Sequence, residues 1–140
     1  MTNYKFDKCG NYTFQCYITY NGMTFYGEAK CHPDDYDMCS DRTGYFIAEA
    51  RANIAKLRYC RDHEIMPMVK QYRHFYDCVS HSTHFNTDSY EAQAIRREWN
   101  RWEKQLLAIK EDIKHEKEYL NLYMTEKEKL YNRIRKGKSN

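Results

Sequence analysis

Two Cys and His pairs stand out first. Cys60-x2-His63 and Cys78-x2-His81, separated by fourteen residues, have a spacing compatible with a tetrahedral zinc site, with His74 and His84 nearby. Thiolate and neutral imidazole are the donors zinc prefers, so a zinc-dependent enzyme or a zinc-stabilised module built on these four residues is one reading. The plainer reading is ordinary core and surface residues near helix ends. Cys31, His32 and Cys39 form a weaker grouping of the same kind.

A second concentration is acidic. Asp34, Asp35, Asp37 and Asp41 crowd one short stretch, but it lacks the central Gly and terminal Glu of a calcium hand, so helix capping and a solvated turn are expected. A third is basic and aromatic. Arg96, Arg97, Arg101 and Lys104 interleave with Trp99 and Trp102, and Arg133, Arg135, Lys136 and Lys138 form a second cluster. Guanidinium and ammonium groups neutralise phosphates and exposed rings stack on bases, so these residues are candidates for touching nucleic acid or an acidic protein surface. The bland alternative is a solvated helix face. Gly-rich phosphate loops, nucleophile elbows and metalloprotease helix motifs are missing from the sequence, and a non-enzymatic protein is expected.

The elements that position these residues begin with a hairpin. Tyr12 to Tyr20 and Met23 to Cys31 flank Asn21-Gly22, a pair suited to a type I′ turn. That turn pairs Tyr20 with Met23, Ile18 with Phe25, Cys16 with Gly27, Phe14 with Ala29 and Tyr12 with Cys31 on one apolar face. Tyr17 and Tyr26 oppose each other on the other face, among Thr, Gln, Glu and Lys. They form a candidate recognition surface, since Tyr supplies contact area and a hydroxyl at small entropic cost.

A two-stranded ribbon needs a cover. Ser40, Asp41 or Thr43 can cap a helix starting near Gly44 and running to about His63, with Pro67 marking its end or a kink. Its stripe of Ile47, Ala50, Ile54 and Leu57 is expected to lie across the hairpin. A second helix spans residues 68 to 79, and a polar break follows from Ser80 to Ser89. Asp88 with Glu91 makes a capping-box-like start for a helix reaching about Arg135. A heptad frame places Trp99, Leu106, Ile113, Leu120, Lys127 and Ile134 at a, and Ile95, Trp102, Ile109, Glu116, Tyr123 and Leu130 at d. All but Lys127 and Glu116 are apolar or aromatic. An unbroken helix of about 48 residues would span roughly 70 Å. Either two chains pair along the seam, or the segment folds back near Asn121 to Thr125. Asp112 with Lys117 would attract across a parallel pair and Glu98 with Glu103 would repel.

The fold class expected is therefore α+β, with a hairpin-helix domain over residues 1–80 and a long helical region over 88–136. The totals agree with one small domain plus an extension. Of 140 residues 31% are charged and 16% aromatic, fourteen of them Tyr, and the net charge is +3. Mean hydropathy is −1.00 and the pI about 8.4, too mild a basicity to establish nucleic-acid binding but contrary to a wholesale acidic mimic of DNA. No apolar run approaches a membrane span, and Met1 to Lys5 lacks a signal peptide's apolar segment. A cytoplasmic protein with reduced thiols is expected from six Cys in that setting.

Gly27-Glu28-Ala29-Lys30-Cys31-His32-Pro33-Asp34-Asp35, followed by Thr43-Gly44 and Ile47-Ala48-Glu49-Ala50-Arg51-Ala52, resembles a pattern in small uncharacterised proteins from phages and mobile elements of low-GC Gram-positive bacteria. The strand, strand, helix order is also similar to part of a double-stranded-RNA-binding domain, but Asp34 to Asp41 stand where such modules present Lys. The phage resemblance implies a small accessory binding protein of the bacterial host cytoplasm. It would inhibit host defence, with anti-CRISPR proteins as the type, and its partner would be a host defence nuclease or that nuclease's guide RNA complex. A sponge that sequesters a nucleotide immune signal between subunits is the alternative. Self-association is expected and a membrane role is not; beyond the zinc reading, no cofactor is called for.

Overall fold

The computed structural model describes residues 2–81 and 89–138. The fold is α+β: a three-stranded antiparallel sheet in the order β1-β2-β3, then helices. The strands are β1 (Thr2–Cys9), β2 (Thr13–Tyr20) and β3 (Met23–Lys30). The expected hairpin register is the observed one, with Ile18 opposite Phe25, Cys16 opposite Gly27 and Phe14 opposite Ala29. Asn21 (φ 48°) and Gly22 (φ 77°) both take the positive φ that a type I′ turn demands. β1 is an addition to the expected ribbon. Tyr4 and Phe6 alternate with Lys5 and Asp7, the strand pattern in miniature, and Gly10 (φ 68°) turns the chain into β2.

Helix α1 (Asp41–Tyr59) is covered on two sides. Toward the sheet it presents Gly44, Ala48 and Ala52, all buried. A Cβ on Gly27 of β3 would strike the Ala48 carbonyl oxygen and the Ala52 backbone, and one on Gly44 would strike the Phe14 ring. At Gly27 helix and sheet touch backbone to backbone because Gly27, Ala48 and Ala52 are small, and at Gly44 the missing side chain makes room for the Phe14 ring. The stripe expected on the hairpin faces elsewhere: Ala50 and Ile54, with Ile47 beside them, form a buried cluster with Leu120 of α3 (Tyr90–Lys138). Large side chains hold helices apart, so they went to the helix contact and the glycine and alanines to the closer sheet contact. Phe46 continues the α1–α3 packing, with its ring 4.2 Å from Tyr123 and 5.9 Å from Tyr119.

Pro67 falls where one helix gives way to the next, as expected of an end or a kink. After α1 the chain widens into a π-helical segment, Cys60–Ile65, and enters α2 (Met66–Ser80) with Pro67 in its first turn. A proline in that position lacks only an N–H that has no intrahelical partner anyway. α3 is capped by Ser89, whose Oγ accepts from the Ala92 N–H at 3.1 Å. Asp88, the expected cap, lies outside the described residues.

α3 is one unbroken helix, so no hairpin forms at Asn121 to Thr125. Of its seam, Leu106, Ile109, Ile113 and Leu120 are buried, whereas Leu130 and Ile134 near its end stay exposed. By packing, the chain forms two compact units, Met1–Lys56 with Lys114–Asn140, and Leu57–Ile113, which do not follow a cut between residues 80 and 88.

In the first unit the segment between β3 and α1 is tied down at several points. Cys31 and Cys39 are joined by a disulfide, contrary to the reduced state expected of every thiol. Tyr36 stacks on Tyr12 with ring centroids 3.6 Å apart. The aspartates do not converge: Asp35 pairs with Arg135 at 2.6 Å and Asp41 with Lys8 at 2.9 Å, while the Asp34 N–H donates to His32 Nδ1 at 3.2 Å. The carboxylates of Asp35 and Asp41 are used in ion pairs, and the helix starts are capped by other residues, His32 and Ser40.

Candidate nucleic-acid interface

The second unit brings basic and aromatic residues of two helices together. α2 contributes Arg73 and Tyr76, and α3 contributes Arg96 and Trp99, the same Arg-x-x-aromatic spacing twice. A three-residue step places both members of each pair on one helix face, so the two pairs meet. The Tyr76 and Trp99 rings lie 5.5 Å apart. The Arg96 guanidinium sits 4.8 Å from the Trp99 centroid and 5.3 Å from that of Tyr76, and Arg73 lies 5.9 Å from Trp99.

Two cations thus converge on one indole. Each contact with a ring is worth about 0.5–1 kcal/mol at an exposed site, enough to hold the planar group without consuming its outward N–H donors. Among the described residues neither Arg73 nor Arg96 has an ion-pair partner within 4.0 Å, so their positive charge is not neutralised locally. A guanidinium of this kind can give a phosphate two parallel hydrogen bonds.

The remaining predicted residues distribute themselves around this centre. Arg97, Arg101 and Lys104 follow along α3 at four- and three-residue steps, all exposed. Arg101 lies over Trp102 at 5.4 Å and pairs with Glu98 at 3.1 Å, which shields part of its charge. Trp99 and Trp102 are half-buried, with both indole nitrogens shielded from solvent and lacking a hydrogen-bond partner among the described residues. They are packing residues that carry cations on their faces. Arg73 and Tyr76 were not singled out from the sequence, although the repeated spacing was there to be read.

The second basic cluster belongs to the first unit. Arg133 and Lys136 are exposed, whereas Arg135 is engaged with Asp35 and braces the loop. Tyr17 and Tyr26 oppose one another on the sheet face away from α1, with rings 5.2 Å apart and the Tyr17 hydroxyl donating to Gln15 Oε1 at 3.4 Å. Desolvation and the neighbouring Glu28 carboxylate raise the Tyr26 phenol above its ordinary value.

The Cys and His pairs do not assemble. Among the described residues no group of three His, Cys, Asp or Glu side chains could hold a metal. Cys60 is buried at the start of the π-helical segment, and the His63 ring stacks on Tyr59 at 4.7 Å. Cys78 contacts His74 instead, at 3.6 Å, and His81 Nδ1 lies 2.7 Å from the Asp77 carbonyl oxygen at the end of α2. Four-residue spacings along the helices therefore match His63, Cys78 and His81 with local neighbours. His84 lies outside the described residues.

The first unit also holds a cleft of about 680 Å³ between the disulfide-closed loop, the start of α1 and the last turns of α3. Phe14, Ile47 and Met124 supply apolar wall, and Lys30, Lys127 and Tyr131 supply polar groups.

No protein-family model, curated protein or solved structure matches the chain. None of its helices is long and apolar enough, among the described residues, to cross a membrane.

Proposed function

We propose that this chain is a non-catalytic binding protein of the phage accessory type, which inhibits a host defence machine by occluding one of its surfaces. The favoured target is an RNA-guided nuclease or its guide RNA complex in the host cytoplasm. The observation that carries the reading is the convergence of Arg73 and Arg96 on Trp99 and Tyr76, with Arg97, Arg101 and Lys104 continuing the positive charge along α3. Guanidinium groups seated on aromatic rings without carboxylate partners suit a phosphate backbone, and steric cover by a bound protein inhibits without chemistry.

The test is target cleavage by a purified RNA-guided nuclease loaded with its guide, titrated with the wild-type chain and with the Arg73→Glu, Arg96→Glu variant. Inhibition that weakens steeply with salt, by nearly one unit of log-log slope per phosphate neutralised, and is lost in the variant, is expected. Absence of inhibition, or inhibition insensitive to both salt and the variant, would overturn this reading.

A second reading rests on the cleft in the first unit, whose volume falls in the range of small-ligand sites. There the chain would sequester a nucleotide signal. Mass spectrometry of a heat-released extract of the freshly purified protein tests it, with a bound nucleotide expected.

A further inference from the structure

The two edges of the sheet are not equivalent. At β3 the edge is occupied: Arg51 of α1 donates to the Glu28 carbonyl oxygen at 2.8 Å. At β1 the edge is a full eight-residue strand, and both apolar side chains in its centre are exposed, Tyr4 at 48% and Phe6 at 41%. Those two residues share the core face of the sheet with Ile18 and Cys16, and Phe6 stays half-exposed although its ring meets Tyr45 of α1 edge-on at 5.5 Å.

The hydrogen-bond phase of this edge follows from the pairing. The Cys31 N–H donates to the Tyr12 carbonyl oxygen at 2.9 Å, so the even-numbered residues of β2 bond toward β3. Alternation turns the odd-numbered residues of β2 toward β1, where Tyr17 faces Lys5 and Gln15 faces Asp7. The backbone groups of Tyr4, Phe6 and Lys8 are then directed outward. Unpaired N–H and C=O groups in that arrangement are a template for another strand.

We infer that β1 is the docking surface for β1 of a second copy of this chain, antiparallel across a two-fold axis at Phe6, so that two sheets become one. An axis perpendicular to the sheet carries each residue to the same face, so it must pass through a residue position. Centred on Lys5 it sets Lys5 against itself, and centred on Asp7 it sets two carboxylates together. Centred on Tyr4 it leaves Asp7 beyond the end of the other strand. Only the axis at Phe6 sets Lys5 against the second copy's Asp7 on both sides, and it also places Phe6 against Phe6. Tyr4 then meets Lys8, whose ammonium already lies over an aromatic ring, 5.4 Å from Phe14. Phe6 exchanges both backbone bonds with its mate, and Tyr4 and Lys8 do the same on either side. The charges that would block other registers specify this one. This interface differs from the helix seam considered from the sequence.

Sedimentation equilibrium of the full chain tests the proposal through a charge exchange. Wild type is expected to dimerise, and Lys5→Asp alone and Asp7→Lys alone each to weaken the dimer about tenfold or more, because two attractive cross-strand pairs become repulsive. Mixing the two single variants restores dimers, since each carries the charges the other needs, and so does the doubly exchanged Lys5→Asp, Asp7→Lys chain. A wild-type chain that stays monomeric up to about 1 mM would overturn the proposal. So would a dimer indifferent to the single reversals, or variants that neither mixing nor double exchange rescues.

Discussion

Arg135 donates to Asp35 at 2.6 Å, joining residues one hundred positions apart and tying the end of α3 to the loop before α1. The pair is part-exposed, so the loop also depends on its disulfide and on the Tyr12–Tyr36 stack. Replacing Arg135 by Ala should cost about 1 kcal/mol. A double-mutant cycle with Asp35→Asn should return a coupling of about 0.5–1 kcal/mol that shrinks at high salt, read from urea unfolding.

Gly27 is where sheet and helix meet most closely. Gly27→Ala drives a methyl into the Ala48 carbonyl oxygen and the Ala52 backbone, neither of which can move without shifting α1. The expected loss is about 2–3 kcal/mol or more. Gly22→Ala meets open space and suffers only from its positive φ, so about 1 kcal/mol is expected there. The difference between the two urea midpoints, at unchanged slope, measures the contact.

Thiol labelling should sort the cysteines by environment. Cys9 and Cys78 are exposed and should alkylate quickly at pH 8, whereas Cys31 and Cys39 should react only after reduction. Burial, helped by the Glu49 carboxylate, pushes the Cys16 thiol up to about 11. At pH 8 only about one Cys16 in a thousand is then thiolate, so it should resist labelling until the protein unfolds.

The same shift sets an alkaline limit. The folded state holds the Cys16 proton above the ordinary value of 9.0, so its contribution is complete below pH 9 and is lost as pH rises through about 11. Urea midpoints should fall across that window, and a Cys16→Ala chain should show a smaller fall although its starting stability is lower.

The helix caps offer a local test. Ser40 Oγ accepts from the Thr43 N–H at 3.1 Å, and Ser89 Oγ accepts from the Ala92 N–H. Ser→Ala at either position should cost about 1 kcal/mol, and Ser→Gly only a few tenths. Amide exchange should rise first at Thr43 or Ala92 respectively.

Much of this molecule is local and was legible in the order of its residues. Asn21-Gly22 determined the hairpin register, because both residues readily take the positive φ of a type I′ turn, whose twist matches that of the two strands. The uninterrupted run after Ser89 determined a long helix, and its apolar spacing determined which face would be hidden. The tertiary structure alone decided what hides each face. Ala50 and Ile54 could satisfy a sheet or a helix equally well on periodicity, and the contest was settled by Gly27, whose missing side chain let the glycine and alanine face of α1 sit closer. The meeting of Arg73 with Trp99, the separation of Cys60 from Cys78 and the capture of Arg135 by Asp35 were decided there too. Residue types and spacing constrain neighbours along one element, whereas contacts between elements depend on how closely their backbones approach.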